Sequence, residues 1–421
     1  MAVAITAIPA INIGGRNSFA TDLPKAAIAR PQALEQAYAY LPAQTRFDAF
    51  VALKDGRQLA QWGEVDLPIN THSVRKSLLS GLYGIAVSKG YLRLDQTLAE
   101  LGIDDKVMPL TAIEKSATVR DLLMSRSGIY IEAAGEAKGM KDTRPQRGSH
   151  RPGEFFYYNN WDFNVLGVIF ERRTGMSIGQ AFYEWIAKPT GMATFKPGHV
   201  IYDQPGYTEH CQFVIFMSAA DLARFGMLYA NGGRWGTRQV IPQAWVEQST
   251  KAYSDVRDMD PFDAYGYLWW LDRKAAVVWA DGWGGQFMIV DARRHLVVVS
   301  RNDTGRSLLQ LGLFVLFDGD GWRSHHQRLH ELMIEAAGGD KASGHQSGNA
   351  LLAGRKRFAG WTTYLPPPAV AAAEHSIITK PLRVVSLSRV PPCSSRWGLA
   401  LAGAVECVMQ PDAAPVERLR A

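Results

Sequence analysis

Residues 73–90 read SVRKSLLSGLYGIAVSKG, and the organisation of the whole chain can be worked out from them. Apolar residues recur at helical spacing from Val74 to Val87, and Gly90 is a typical helix stop. The pattern predicts a helix that begins at or just after Ser73. Because residues three apart share one face of a helix, the amine of Lys76 should be able to reach the Ser73 hydroxyl.

This SxxK tetrad is a candidate catalytic pair. A serine hydroxyl is a weak nucleophile that needs an adjacent base, and a lysine can act as one only when its pKa is lowered. Burial and the positive end of the helix dipole both disfavour the charged amine, so both lower that pKa. A serine at this position is otherwise an ordinary N-cap, so the value of the pair depends on the motifs that accompany it.

The flanking sequence predicts an α+β fold. Residues 47–62, FDAFVALKDGRQLAQW, contain Asp55-Gly56 between two strand-like stretches, which is a strong hairpin signal. Residues 92–246 are mostly helical in pattern, and short β-branched runs return at AVVWADG, GQFMIVDA and HLVVVSRND before a helical stretch over 308–337. This order predicts an antiparallel sheet with flanking helices, and a helical subdomain over roughly 92–246 inserted into the sheet domain.

A second candidate motif is Tyr158-Asn159-Asn160, at the start of the helical run WDFNVLGVIFERR. A tyrosine beside a lysine can shuttle a proton, and an asparagine can orient the lysine and the substrate. The alternative for Asn160 is a simple N-cap role. On the residues alone, Tyr157 paired with Asn159 is an equally valid register.

A third candidate motif is Asp281-Gly-Trp283-Gly284-Gly285-Gln286, just before the strand FMIV. Glycines at the start of a strand let a substrate lie against the backbone, and the next amide can serve as an oxyanion donor. A glycine-rich β-turn without a function is the alternative.

In this order the three motifs resemble the serine β-lactamase and penicillin-binding-protein superfamily, and in particular its class C-like branch of esterases, amidases and peptidases. The resemblance covers residues from about 47 to 303. Further stretches that resemble the family are HSVRKSLLSGLYGIAVSKGYLRLDQTLAEL, RDLLMSRSGI, PGEFFYYNNWDFNVLG, DLARFGMLYANGGRW and YGYLWW. The resemblance implies a β-lactamase/transpeptidase-like fold.

The resemblance also implies roles for individual residues. Counting back from Leu166-Gly167 places the family's tyrosine on Tyr158 and its asparagine on Asn160. Ser73 then resembles the nucleophile, Lys76 its activating partner and Tyr158 the general base and acid. The backbone N–H groups of Ser73 and Gln286 would form the oxyanion hole.

One residue departs from the family pattern and affects the expected substrate. Relatives carry Lys or His where this chain has Trp283, followed by Gly284 and Gly285. Tryptophan supplies no positive charge for a substrate carboxylate and adds a large apolar wall. We therefore expect a small-molecule ester or amide substrate, as for the carboxylesterase and 6-aminohexanoate-dimer hydrolase members. β-Lactamase or D-peptidase activity, and a non-turnover penicillin-binding or sensor protein, are the alternatives.

Two other patterns compete for a functional role. Gly175-Met-Ser177-Ile-Gly179 matches GxSxG, but a helical run precedes it, and Ser177 with Gln180 fits a capping box that starts the next helix. His325, His326 and His330 lie in the last helical stretch without an HExxH pattern, which favours a solvated helix face over a metal site. No metal or other cofactor is expected.

Charge and composition limit the remaining roles. The net charge is +6, and residues 339–421 carry ten Lys or Arg against five Asp or Glu. The rest of the chain is nearly neutral, so we expect no nucleic-acid partner. Residues 1–30 are interpreted as an N-terminal extension, 31–338 as the hydrolase domain and 339–421 as a poorly ordered tail.

The N-terminal sequence bears on localisation. Its first basic residue, Arg16, follows the apolar stretch instead of preceding it, which is atypical of a secretory signal. We therefore expect a cytoplasmic protein, with the periplasm as the alternative, and no apolar run approaches the length of a membrane span. The oligomeric state does not follow from the sequence.

Overall fold

The computed structural model describes residues 23–43, 48–302 and 321–340. The predicted tail over 339–421 lies outside the described residues except for its first two positions, and the N-terminal extension is described only from Leu23. From that point the extension lies on the domain: the Ala26 N–H donates to the Gln58 carbonyl, and the Ala29 N–H donates to the Ala336 carbonyl, at 2.9 and 2.8 Å.

The strands are β1 (Ala49–Lys54), β2 (Arg57–Gly63), β3 (Ile69–Asn70), β4 (Val200–Asp203), β5 (Gln212–Met217), β6 (Arg234–Trp235), β7 (Arg238–Gln239), β8 (Ser254–Met259), β9 (Phe262–Tyr265), β10 (Trp270–Asp272), β11 (Val277–Gly282), β12 (Gln286–Asp291) and β13 (Leu296–Arg301). The helices are α1 (Pro31–Ala43), α2 (Val74–Ser88), α3 (Ala112–Lys115), α4 (Val119–Leu123), α5 (Lys138–Asp142), α6 (Asn160–Thr174), α7 (Ile178–Phe182), α8 (Lys188–Thr190), α9 (Ala219–Ala230), α10 (Gln243–Ser249) and α11 (Gly321–Ala336). A π-type turn at Tyr183–Ala187 joins α7 to α8.

The main sheet is antiparallel and is built from both ends of the chain. Within the described residues its strand order is β2-β1-β13-β12-β11-β10-β9-β8. The predicted hairpin is confirmed: Lys54 pairs with Arg57 across a two-residue turn, and Asp55 and Gly56 both have positive φ, as a type I′ turn requires. Strand β1 then pairs with β13, so most of the helices lie in the segment between the two parts of the sheet.

Helices cover both faces of this sheet. Helices α1 and α11 pack against each other and reach β2 and β13 on one face, whereas α9 packs on β1, β12 and β13. Successive residues of β1 alternate between two hydrophobic clusters, with Val51 in the larger and Phe50 in the smaller. Because side chains alternate along a strand, this division shows that both faces of the sheet are buried.

Helix α2 lies between the sheet and the helical block, where it contacts β11 and α6. A small sheet of order β3-β5-β4 borders its N-terminus, because β3 ends only three residues before Ser73. The junction of sheet and helices is therefore the place where the SxxK tetrad is held. None of the helices in the described residues is long and apolar enough to span a membrane.

Candidate active site

Ser73 and Lys76 are in direct contact at the start of α2. Ser73 occupies the N-cap position, yet its side chain makes no capping hydrogen bond. Its Oγ instead accepts a hydrogen bond of 2.7 Å from the Lys76 Nζ. The N-cap interpretation therefore does not account for this half-buried serine.

The Lys76 amine lies in an apolar enclosure. The residue is only 2% exposed, and its Nζ is 4.6 Å from the ring centroid of Tyr158 and 4.7 Å from that of Phe163. Desolvation in this enclosure holds the pKa of Lys76 well below its usual value, and the neighbouring cation of Arg75 lowers it further. The enclosure therefore favours the uncharged form of the amine, which is the form that can accept a proton.

Arg75 is a second buried cation in the tetrad. Its Nη1 donates to the His72 carbonyl at 3.0 Å, and its Cζ lies 5.3 Å from the ring centroid of Phe213. Burial lowers the pKa of Arg75 to about 10. Asp281 opposes the effect of Arg75 on the pKa of Lys76, and this carboxylate is itself paired with Arg323 at 3.1 Å.

Tyr158 completes the group of three. Its hydroxyl lies near enough to Ser73 for the serine side chain to affect its pKa, and its ring packs against Trp270 with centroids 5.0 Å apart. Burial raises the pKa of Tyr158 above its ordinary value, and the Ser73 side chain opposes this in part. The phenol is therefore protonated near neutral pH and lies beside the serine.

Tyr157 and Asn159, the alternative pair of residues for this motif, do not contact Ser73 through their recorded hydrogen bonds. The Tyr157 hydroxyl donates to the Met140 carbonyl at 2.6 Å in the core. Asn159 is the N-cap of α6, where its side chain accepts from the Trp161 N–H at 3.0 Å. The structure therefore brings Tyr158, and not Tyr157, to Ser73.

Asn160 is buried at the first turn of α6. Its Nδ2 donates to the Gly135 carbonyl at 2.6 Å, and its Oδ1 has no hydrogen-bond partner within the described residues. This amide is therefore directed to the segment around Gly135, which precedes α5. No hydrogen bond recorded within the described residues joins it to Ser73, Lys76 or Tyr158.

The third motif forms the hairpin between β11 and β12. Gly282 pairs with Gln286, and Gly284 and Gly285 have φ of +78° and +83°, which other residues rarely adopt. A Cβ on Gly282 would come within 2.7 Å of the Thr71 carbonyl oxygen. The missing side chain lets this hairpin approach the segment that leads into Ser73.

Trp283 stands at the tip of the hairpin. Its side chain is 40% exposed, and its ring meets that of His72 edge to face, with centroids 5.3 Å apart. Desolvation lowers the pKa of His72 to about 3, and the nearby charges of Arg75 and Arg301 act in the same direction. The ring of His72 is therefore neutral, so these two side chains form an uncharged aromatic wall beside Ser73.

The match to a known family is extensive. The family described as Beta-lactamase matches residues 36–338, which is most of the chain. The chain belongs to the beta-lactamase family. The 6-aminohexanoate-dimer hydrolase of Paenarthrobacter ureafaciens is 25% identical over 294 residues, which cover 61% of this chain and 72% of that protein. The family assignment and this relative identify the chain as a β-lactamase-related hydrolase.

Solved structures confirm the predicted fold class. A penicillin-binding protein homologue from Caulobacter crescentus superimposes with a TM-score of 0.54 at 16% identity and covers 75% of this chain and 100% of its own. At that identity the likeness concerns the fold alone. It agrees with the antiparallel sheet, flanking helices and inserted helical segment described above.

The competing motifs of this beta-lactamase-family chain have structural roles. Gly175 caps α6 with a positive φ, and the Ser177 side chain accepts from the Gln180 N–H at 3.2 Å to start α7. No strand precedes this serine, as a GxSxG nucleophile would require. No group of His, Cys, Asp or Glu within the described residues could hold a metal ion, and His330 pairs with Asp291 at 3.4 Å.

Sequence reasoning missed four residues around the site. Arg75, His72 and Phe163 surround Lys76 or Ser73, and Arg301 binds the side chain of Gln286. Two of them carried a signal, since Arg75 and Lys76 are the only charged residues between Val74 and Ser88 and Arg301 ends the β-branched run LVVVS. A charged residue in a strand or helix that packs on both faces indicates a buried polar role.

Proposed function

We propose that this chain is a serine hydrolase of the carboxylesterase or amidase type that works through an acyl-enzyme on Ser73. The observation that carries the proposal is the contact of 2.7 Å between Ser73 Oγ and Lys76 Nζ, with the Tyr158 ring centroid 4.6 Å from the same Nζ. A nucleophile, an amine with a lowered pKa and a protonated phenol side by side are the parts that acyl transfer needs.

The pKa values support a division of roles. Lys76 has a strongly lowered pKa and is the first proton acceptor, while Tyr158 has a raised pKa and relays the proton as a phenol. The Ser73 oxygen attacks the carbonyl carbon as its proton passes to this pair. The same proton then reaches the departing alcohol or amine as the carbon–heteroatom bond breaks.

Two backbone N–H groups, those of Ser73 and Gln286, would hold the oxyanion of the tetrahedral intermediate. Gly282 lies close to the Thr71 carbonyl. The hairpin that carries Gln286 is therefore near the segment that leads into Ser73, which supports this pair of donors. Water then attacks the acyl group and gives its proton to the same pair, which releases the carboxylic acid and restores Ser73.

The aromatic wall supports a neutral acyl group in the substrate. Neither Trp283 nor the uncharged His72 offers a cation to a substrate carboxylate, and Trp283 supplies apolar surface. The relative from Paenarthrobacter is named as a hydrolase of an amide dimer, which supports amides beside esters.

The proposal is tested by labelling the full chain with a fluorophosphonate probe and mapping the labelled peptide. We expect one equivalent of label on Ser73, and none on Ser73→Ala. Label on Ser177 or on another residue would contradict the proposed nucleophile.

Turnover is then measured with p-nitrophenyl butyrate and with nitrocefin. We expect steady release of p-nitrophenol over many turnovers. Rapid nitrocefin cleavage would instead establish a β-lactamase, and a burst of one equivalent without turnover would establish a sensor.

A further inference from the structure

Arg301 joins three segments of the chain beneath the site. It is fully buried at the end of β13, next to Ser300, which pairs with Phe287 of β12. Its Nε donates to Gln286 Oε1 at 2.7 Å, and its Nη1 donates to the Met217 carbonyl at 2.7 Å. Its Nη2 is shared between the carbonyls of Ile69 and Asn70, at 2.9 and 3.0 Å.

These acceptors lie next to the reacting atoms. Ile69 and Asn70 form β3, which leads through Thr71 and His72 into Ser73. Their partner strand β5 contributes the Met217 carbonyl, and Thr71 is tied to the same strand by its N–H and hydroxyl, both on the Ile215 carbonyl at 2.9 Å.

The Gln286 side chain is held from both sides. Its Oε1 accepts from Arg301, and its Nε2 donates to the Asn302 carbonyl. With no exposed surface and both ends bonded, the side chain fixes the backbone of its own residue. The N–H of that residue cannot move without breaking these bonds.

The chemistry of the guanidinium suits this task. Its planar group presents N–H donors in fixed directions, whereas a lysine ammonium is a compact point charge on a flexible stem. Only the planar fork can satisfy an amide oxygen on one strand and carbonyls on two others at once.

We propose that Arg301 is a positioning residue that sets the separation between the Ser73 and Gln286 backbone N–H groups. The proposal rests on the proposed function, in which these two groups form the oxyanion hole. A displacement of about 1 Å in such a donor can lower a rate by about 100-fold. Loss of the brace should therefore lower kcat and leave substrate binding nearly unchanged.

The test is a double-mutant cycle on the full chain with p-nitrophenyl butyrate. Arg301→Lys removes the fork, and Gln286→Met removes the Arg301 acceptor but keeps the backbone N–H. We expect each to lower kcat by about 10- to 100-fold, with KM within threefold. Because both changes break one brace, the double variant should lose little more than the worse single variant.

Arg224→Lys is the matched control, since Arg224 is also buried but bonds the Thr190 carbonyl away from Ser73. It should lower the melting temperature and keep kcat. If Arg301→Lys keeps kcat within twofold, or if the two effects simply multiply, the positioning role is wrong. Should Arg301→Lys fail to fold, Gln286→Met decides alone, and an unchanged kcat for it overturns the proposal.

A separate labelling experiment tests the proposed function independently of the role of Arg301. Fluorophosphonate should label Ser73 to one equivalent in the wild type and, more slowly, in every folded variant. Failure of the wild type to label at Ser73 would refute the proposed nucleophile. A normal endpoint in a variant with unchanged kcat would refute only the role of Arg301.

Discussion

The ring of His72 meets the ring of Trp283 edge to face, and the two residues belong to different segments of the chain. His72 directly precedes Ser73 and has a φ of +46°, whereas Trp283 stands on the hairpin between β11 and β12. Edge-to-face pairs of this kind add about 0.5–1.5 kcal/mol beyond their buried area. The contact therefore links the hairpin to the segment that carries Ser73, the proposed nucleophile.

Replacing Trp283 should change substrate preference. In Trp283→Lys an ammonium replaces the apolar wall, so we expect kcat/KM for p-nitrophenyl butyrate to fall roughly tenfold, as loss of about 1.4 kcal/mol implies. The value for a p-nitrophenyl ester with a terminal carboxylate should rise. Steady-state kinetics on both esters checks this.

Tyr91→Ala is the control for that experiment. Tyr91 is similarly exposed but lies beyond the other end of α2, about 22 Å from Ser73 along the helix axis. Its ester kinetics should match the wild type. An unchanged ratio of the two esters in Trp283→Lys would show that Trp283 does not contact the acyl group.

Arg75 should control the acid limb of the pH–rate profile. In the proposed mechanism Lys76 acts only when uncharged, so activity should fall as pH drops through its pKa, which Arg75 helps to lower. Arg75→Gln removes that cation, so the pKa of Lys76 rises and the acid limb of kcat/KM moves to higher pH. Arg75→Lys retains a cation and should shift the limb less. Identical profiles for Arg75→Gln and wild type would exclude the electrostatic role.

His72 should make the protein sensitive to acid. Its pKa is about 3 in the folded state against an ordinary value of 6.5, so the unfolded chain binds more protons between these values. The free energy of unfolding should therefore decrease as pH falls from 6.5 towards 3, by at most about 1.4 kcal/mol per pH unit from this one histidine.

His72→Asn tests this contribution, because asparagine tolerates a positive φ and does not titrate. Urea unfolding at several pH values should give a shallower decrease for the variant between pH 6.5 and about 4. Parallel curves for the two proteins would assign the acid sensitivity to other groups.

Ser177 provides a matched comparison with Ser73. Ser177→Ala removes an N-cap bond and should cost about 1 kcal/mol of stability while kcat is unchanged. Ser73→Ala has no cap to lose and should abolish turnover at a nearly unchanged melting temperature. Thermal unfolding and ester kinetics on both variants check the pair, and the opposite pattern would refute the assignment of the nucleophile.

Local patterns predicted the parts of the fold that depend on near neighbours. The hairpin at Asp55-Gly56, helix α2 and strands β11 to β13 lie where turn residues and apolar spacing placed them, within one or two residues. Strands β8 to β10 were not predicted. The stretch YGYLWW, which runs from the end of β9 to the start of β10, is buried throughout and lacks the alternation that marks a strand.

In the site, too, local contacts could be predicted from the sequence and contacts between distant segments could not. The contact between Ser73 and Lys76 follows from spacing on one helix turn, and it could be predicted without tertiary structure. The approach of Tyr158 depends on how α6 packs on α2, so residues alone left its register open. Arg301 binds groups from three strands far apart in sequence, and no local pattern identifies such a residue.

The pairing of β1 with β13 constrains how the protein is made. Ala49 lies beside Arg301, so the sheet closes only after nearly the whole domain has left the ribosome. Such distant pairing is slow, and until it occurs β1 presents an unpaired edge that can join another chain. We expect a nascent chain that ends before residue 296 to need chaperones and to have no hydrolytic activity.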